Sequence, residues 1–283
     1  MQIEFIPADH VELDEVVTIF NAGYEGYIMP VNVNADWMSG NLSQNDTQLA
    51  LSRIALVDGE AAGICLLAKR STHGWINAVG VAPPFRRQGI ARALMTTIFD
   101  VARENGITQV NLECIVGNDG ALALYQSLGF TITRKLLILT REPDLTALPP
   151  APHDFVIQPA EFEDVIGYYD AFHPQPNPWQ RSKESLITSA SNTQQWVARK
   201  NDTVHAYLIA RVIGENIIIT DAAYDTNADD ALLTLLIHLH QTYPEHTTRV
   251  VNLPQNDPTL PLFDRLGYKE TMAQHEMTMS SVK

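Results

Sequence analysis

Cysteine is nearly absent from this chain: there are two in 283 residues, Cys65 and Cys114, each inside an apolar run, "AAGICLLA" and "VNLECIV". Two such thiols cannot build a framework of bridges, and no C-x-x-C pair offers a metal site. A reducing, cytoplasmic setting without a bound metal is therefore expected. Basic residues are scarce too, with 19 Lys and Arg against 33 Asp and Glu and a formal net charge of −14. That balance argues against nucleic acid and anionic membrane surfaces as partners, because each needs a basic face. The acidity either suits cationic small molecules or only keeps the chain soluble. No apolar run approaches the roughly 18 residues that span a bilayer. The first twenty residues carry acids and no basic segment, so no signal peptide is expected.

What is present divides in two. The length fits two domains of about 140 residues. "IEFIPA" reads as a strand, residues 10–23 as an amphipathic helix, and 34–46 as a second short helix. Asp58-Gly59 marks a hairpin. "HGWINAVGVAP" is a strand stopped by Pro83 and Pro84, and a helix from about 88 to 105 stops at Asn105-Gly106. Then come strand "TQVNLECIV", helix "GALALYQSLG" and strand "FTITRKLLILTR". Residues 142–154 hold four prolines and no periodicity, and read as a linker between domains 1–141 and 155–283.

After the linker the pattern restarts. "FVIQPAEFED" echoes "IEFIPADHVE", with Pro159 on Pro7. "LFDRLGY" (262–268) echoes "LYQSLGF" (124–130) at an offset of 138, which also places Asn256-Asp257 on Asn118-Asp119 and Ala231-Leu232 on Ala93-Leu94. The chain reads as a tandem duplication.

"PPFRRQGIARAL", residues 83–94, sets arginines and one glycine directly before a helix. A helix N-terminus offers unpaired N–H groups and the positive end of the macrodipole, so it favours anions. Glycine removes the Cβ from the ligand's path, and arginine matches phosphate oxygens. The stretch calls for a phosphate. Among the histidines, His73 reads as a solvated hairpin residue. His238 and His240 fall on opposite sides of a helical turn and cannot share a metal.

With these residues in view, 1–140 resemble the GCN5-related N-acetyltransferase (GNAT) superfamily. Its pyrophosphate fingerprint, Gln/Arg-x-x-Gly-x-Gly/Ala, is matched by Arg86, Gly89 and Ala91, and "NLECIVGNDGALALYQSLGF" matches the family's next block. The resemblance implies an α+β fold of two tandem GNAT-like domains. Each would be a mixed, mostly antiparallel twisted sheet flanked by helices, with a splayed central strand pair. It also implies transfer of acetyl from acetyl-CoA to a primary amine by direct attack in a ternary complex. The acceptor would be a small-molecule amine or a peptide N-terminus, on a monomer or a homodimer.

By the same resemblance, coenzyme A contacts Val79, Gly80 and Val81, then Arg86, Arg87, Gln88, Gly89, Ile90, Ala91 and Arg92, then Asn118 and Tyr125. Tyr125, at the start of a helix facing the sulfur, is the candidate proton donor to the departing thiolate, or else a core tyrosine. Glu113 is either the base for the amine or a buried partner of an arginine. Tyr24, Glu25, Tyr27, Met29 and Trp37 either receive the amine, by charge and cation–π contact, or pack against the second domain.

In the second half the 138 offset replaces Arg86, Arg87, Gln88 and Gly89 by Tyr224, Asp225, Thr226 and Asn227, puts Asp229 and Asp230 on Ala91 and Arg92, and exchanges Tyr125 for Phe263. Carboxylates facing a diphosphate are repulsive, so this copy is expected to support the first rather than bind acyl-CoA. A non-catalytic acyl-CoA sensor is the alternative to an enzyme; the retained Tyr125 and Glu113 speak for the enzyme.

Overall fold

The computed structural model describes residues 2–280. The elements in chain order are β1 (Ile3–Pro7), α1 (Leu13–Gly23), α2 (Ala35–Gln44), β2 (Arg53–Val57), β3 (Glu60–Arg70), β4 (His73–Val81), α3 (Ile90–Glu104), β5 (Gln109–Ile115), α4 (Asp119–Ser127) and β6 (Thr131–Arg141). There follow β7 (Val156–Pro159), α5 (Phe162–Ile166), α6 (Tyr169–Phe172), α7 (Lys183–Thr188), β8 (Gln194–Lys200), β9 (Thr203–Ile213), β10 (Asn216–Tyr224), α8 (Asp229–Thr242), β11 (Thr247–Pro254), α9 (Leu260–Arg265) and β12 (Lys269–Ser280).

The described residues form two compact units, 2–133 with 275–280, and 134–274. In unit 1 the sheet order is β1-β2-β3-β4-β5, followed by the end of β12. From β1 to β4 the pairings are antiparallel, and β4 with β5 is parallel. The apolar stripe of α3, with Leu94, Met95, Ile98 and Val101 buried, packs on one face of that sheet. Helices α1 and α2 cover the other face through Val16, Phe20 and Met38. Unit 2 repeats the plan with order β6-β11-β10-β9-β8-β7, where β10 and β11 are the parallel pair. Among the described residues no helix is long and apolar enough to cross a membrane.

The hairpin at Asp58-Gly59 has φ of 50° and 88°, the left-handed values a two-residue turn between twisted strands requires. The Pro-rich stretch 142–154 is part of unit 2. Leu148 and Ala151 pack on that unit's core, and Arg141 Nε donates to Leu266 O at 2.8 Å while its Nη2 donates to Asp144 O.

Strand β6 is divided at 133/134, and its Leu137 and Leu139 are buried in unit 2, where it pairs with β11. The last residues of β12 belong to unit 1. There Met277 and Met279 enter the core, and Thr278 Oγ1 donates to Asn111 Oδ1 at 2.8 Å. Each unit is thus completed by a strand from the other half of the sequence.

The single 138 offset fails across one segment. Strands β4 and β10 begin at His73 and Asn216, whereas α3 and α8 begin at Ile90 and Asp229. The connection is 82–89 in unit 1 but 225–228 in unit 2. The connection in unit 2 is therefore four residues shorter than that in unit 1, and the two do not correspond residue for residue. Tyr224 is the counterpart of Val81, not of Arg86.

Candidate active site

The β4–β5 ladder runs from His73 to Ile76 against Gln109 to Leu112 and stops there, although β4 continues to Val81. Ala82 N–H donates to Ala62 O at 2.9 Å, toward β3. Because strand backbone alternates, the N–H and C=O groups of Val79 and Val81 face the other way. Arg86 Nε donating to Val81 O at 2.8 Å fits that direction. At this unpaired edge lies a cleft of about 380 Å³, lined by the β4 end, by Tyr24 and Tyr27 after α1, and by Asn118, Gly120, Ala121, Leu124 and Tyr125 of α4 and its cap.

A second hollow of about 300 Å³ shares Val81, Arg86, Ala91, Gly120 and Leu124 with the cleft and adds Arg87, Gly89, Ile90 and Arg92. Gly89 precedes α3 at φ 84°, no side chain caps that helix, and a Cβ on Gly89 would meet nothing within 4 Å. The first-turn N–H groups of α3 lack intrahelical partners by construction and open onto this hollow. Arg87 and Arg92 are exposed beside it. Arg86 is committed inward: besides Val81 it reaches Gly23 O (3.2 Å) and Glu25 O (2.5 Å), through Nη2. Its guanidinium thus ties the end of α1 to the end of β4.

Glycine at 80 answers a different need from ligand approach alone. A Cβ there would lie 3.1 Å from the carbonyl carbon of Gly23, and a Cβ on Gly63 would lie 2.6 Å from Gly80 O. The contact lets α1 end against β4 and sets Tyr24 over the cleft.

Of the expected site residues, the cleft gathers Tyr24, Tyr27, Val79, Gly80, Val81, Arg86, Ala91, Asn118 and Tyr125. Asn118 caps α4, its Oδ1 accepting from Ala121 N at 3.2 Å. Tyr125 sits in the last turn of α4, not at a helix start. It is 9% exposed, and its ring meets Phe130 edge-on at 6.1 Å. Burial first, then the neighbouring Tyr24 and Cys114, push its pKa well above the ordinary tyrosine value. Burial likewise raises Tyr24 and Tyr27, whose rings meet at 5.0 Å, and lifts Cys114 to about 11.

Glu113 does not line this cleft; its Oε2 accepts from the Trp75 indole at 2.7 Å. Gln88 donates to Pro84 O at 2.9 Å and lines neither hollow. The side chains of Glu25 and Met29 are exposed, and Trp37 on α2 is 48% exposed with its ring 6.2 Å from Phe20. Sequence reasoning passed over Gly23, Gly26, Ile28, Gly120, Ala121 and Leu124. The last three precede Tyr125 within one helical turn or so, and that spacing was the available signal.

Parting parallel strands, a helix preceded by glycine at their mouth and a buried tyrosine thus frame one groove in unit 1. Residues 14–130 match the family model described as Acetyltransferase (GNAT) family. The chain is 31% identical over 129 residues to N-alpha-acetyltransferase MAK3 of Arabidopsis thaliana, covering 44% of this chain and 58% of that one. It is 28% identical over 94 residues to the ribosomal protein bS18-alanine N-acetyltransferase of Escherichia coli, covering 33% and 64%. The chain thus spans less than two thirds of the length of these relatives. Over the whole fold it superposes on a tandem GNAT protein from the clavulanic acid biosynthesis pathway with a TM-score of 0.74 at 14% identity, covering 99% of this chain and 98% of that one. A GCN5-related N-acetyltransferase from Sphaerobacter thermophilus gives 0.72 at 14% identity, covering 98% and 95%. The family match thus lies within unit 1, and the chain as a whole has the fold of tandem GNAT proteins.

Proposed function

We propose that the protein is an acetyl-CoA-dependent N-acetyltransferase whose active site is the cleft of unit 1. The observation that carries this reading is the continuity of the α3 N-terminus, the unpaired β4 edge and Tyr125 in one groove. Open space over Gly89 and Gly120 fits a bulky phosphate-bearing ligand. Bound there, acetyl-CoA supplies an activated acyl group. The first-turn N–H groups of α3, with Arg87 and Arg92, would hold the diphosphate. The Val79 and Val81 backbone would pair with the amide arm as an added strand and polarise the acyl carbonyl. Tyr125, kept protonated by burial, would hold the proton destined for the thiolate.

The acceptor follows from what surrounds the cleft. Among its described lining residues there is no Asp, Glu or His to take a proton. An α-amine, with a pKa near 7.7–8.0, is about a tenth to a sixth neutral at pH 7, whereas a lysine amine at about 10.4 is neutral in fewer than about one molecule in a thousand. We therefore favour α-amines, on peptides or small molecules, an acceptor class in keeping with the names of the two relatives. Calorimetry with acetyl-CoA, followed by thiol release over a panel of amines, tests this. Binding with turnover fastest on α-amines is expected, and failure to bind acetyl-CoA overturns the reading. Binding without turnover on any amine points to an acyl-CoA sensor instead.

A further inference from the structure

Unit 2 contains a cleft that the acetyltransferase reading leaves unused. It measures about 450 Å³ and opens where β10 and β11 part. Their ladder covers Asn216 to Ile219 against Thr247 to Val250, and β10 continues to Tyr224. Asp225 N–H donates to His205 O at 2.7 Å, on the β9 side. By alternation, the backbone groups of Ala222 and Tyr224 face away from β9, along the part of β10 that lines the cleft. An edge of this kind accepts an extended amide chain as an added strand. The small side chains of Ala222 and Ala223 leave room over it, and Phe172 with several prolines makes the walls apolar.

Charge narrows the ligand. The short connection 225–228 and the first turn of α8 carry Asp225, Asp229 and Asp230, and Asp257 lines the cleft. The fields of Asp229 and Asp257 reach the lining: after burial, they are what raises the Tyr224 phenol above its ordinary pKa. A diphosphate is repelled here and an ammonium attracted. Two basic side chains also line the cleft. Arg134 Nη1 donates to Pro176 O at 2.8 Å, and His173 Nε2 lies 3.3 Å from buried Asp221.

We propose that this cleft binds a short zwitterionic peptide in extended form, its main chain along Ala222–Tyr224, its amino terminus toward Asp229 at the start of α8 and its carboxylate toward Arg134. The site differs from that of unit 1 in refusing nucleotides.

Calorimetry at low salt on the full chain tests it, with trialanine as the probe beside N-acetyl-trialanine, trialanine amide and coenzyme A. Trialanine is expected to bind one per chain. N-acetylation, amidation and Asp229→Asn should each weaken it about fivefold, as the loss of one exposed charge pair does. Ala171→Trp, at an exposed lining position on α6, should abolish it with the unfolding temperature unchanged. Saturating coenzyme A should not displace the peptide. The proposal is overturned by an absence of saturable binding, by equal affinity for the N-acetylated peptide, by displacement with coenzyme A, or by undiminished binding to Ala171→Trp, which would put the peptide elsewhere, unit 1 included.

Discussion

Replacing Gly80 by alanine should injure unit 1 out of proportion to one methyl group. The new Cβ would sit 3.1 Å from the carbonyl carbon and Cα of Gly23 and 3.3 Å from its oxygen. All three are backbone atoms, which cannot swing aside as a side chain would. The end of α1 must back away by a few tenths of an ångström, and forced overpacking of this kind costs about 1–3 kcal/mol. Removing glycine's freedom from the unfolded chain returns about 0.4–1 kcal/mol, because φ at position 80 is not in the left-handed region. Taking the middle of each range, the net loss is about 1.3 kcal/mol, which lowers the midpoint of a unit this size by roughly 4–6 °C. Gly40→Ala is the control. It lies within α2, meets nothing within 4 Å, and should gain about 0.5–1 kcal/mol from helix propensity. Differential scanning calorimetry of the two variants beside the wild type reads both signs. Because the end of α1 leads directly into Tyr24 and bears the carbonyls held by Arg86, at Gly23 and just beyond at Glu25, Gly80→Ala should also weaken acetyl-CoA binding. A Gly80→Ala protein that melts at or above the wild type would refute the reasoning, since the Gly23–Gly80 contact would then be soft.

Tyr125→Phe keeps the packing on Phe130 and removes only the hydroxyl, so thiol-release kcat should fall by about 10²–10⁴ with little change in acetyl-CoA affinity. A kcat within threefold of wild type would remove Tyr125 from the chemistry. The same burial fixes the pH profile. A raised tyrosine pKa means the donor stays protonated up to and beyond pH 10, so the rate on an α-amine should climb to a plateau above about pH 8 without an alkaline fall before 10. In unit 2, burial alone would lower the His173 pKa, but the charge and hydrogen bond of Asp221 outweigh it and raise the net value. Its stabilising effect is therefore fully present below about pH 6.5 and lost as pH rises through the higher folded value. Urea unfolding at pH 5.5 and pH 8 should show a larger stability difference in wild type than in His173→Gln.

Local signals were readable in the sequence. Asp58-Gly59 fixed a hairpin, Asn105-Gly106 a helix end, and the residues around Gly89 a helix N-terminus open to a ligand, because each depends on neighbours a few positions apart. Glu113 was harder: alternation on β5 sets it on the face opposite Leu112 and Cys114, but only three-dimensional packing shows that Trp75 claims it. The Gly23–Gly80 contact joins residues far apart in sequence and leaves no periodic trace. The shortened turn of unit 2 was hidden because helix and strand echoes on its far side share one offset while β10 does not. The exchange of β6 and β12 was hidden for a similar reason. Both are long strands with apolar residues at intervals, and nothing in either states which sheet it will join.

That exchange bears on how the molecule is made and altered. A ribosome will have released nearly every residue of unit 1 long before Met277 and Met279 emerge, so its core waits with a vacant strand position while all of unit 2 is synthesised. A cut in the proline-rich stretch would yield two fragments, each missing a strand and each exposing an edge eager for the other's. No single cut between the two halves of the sequence separates the units, because the core of unit 1 includes residues from the far end of the chain.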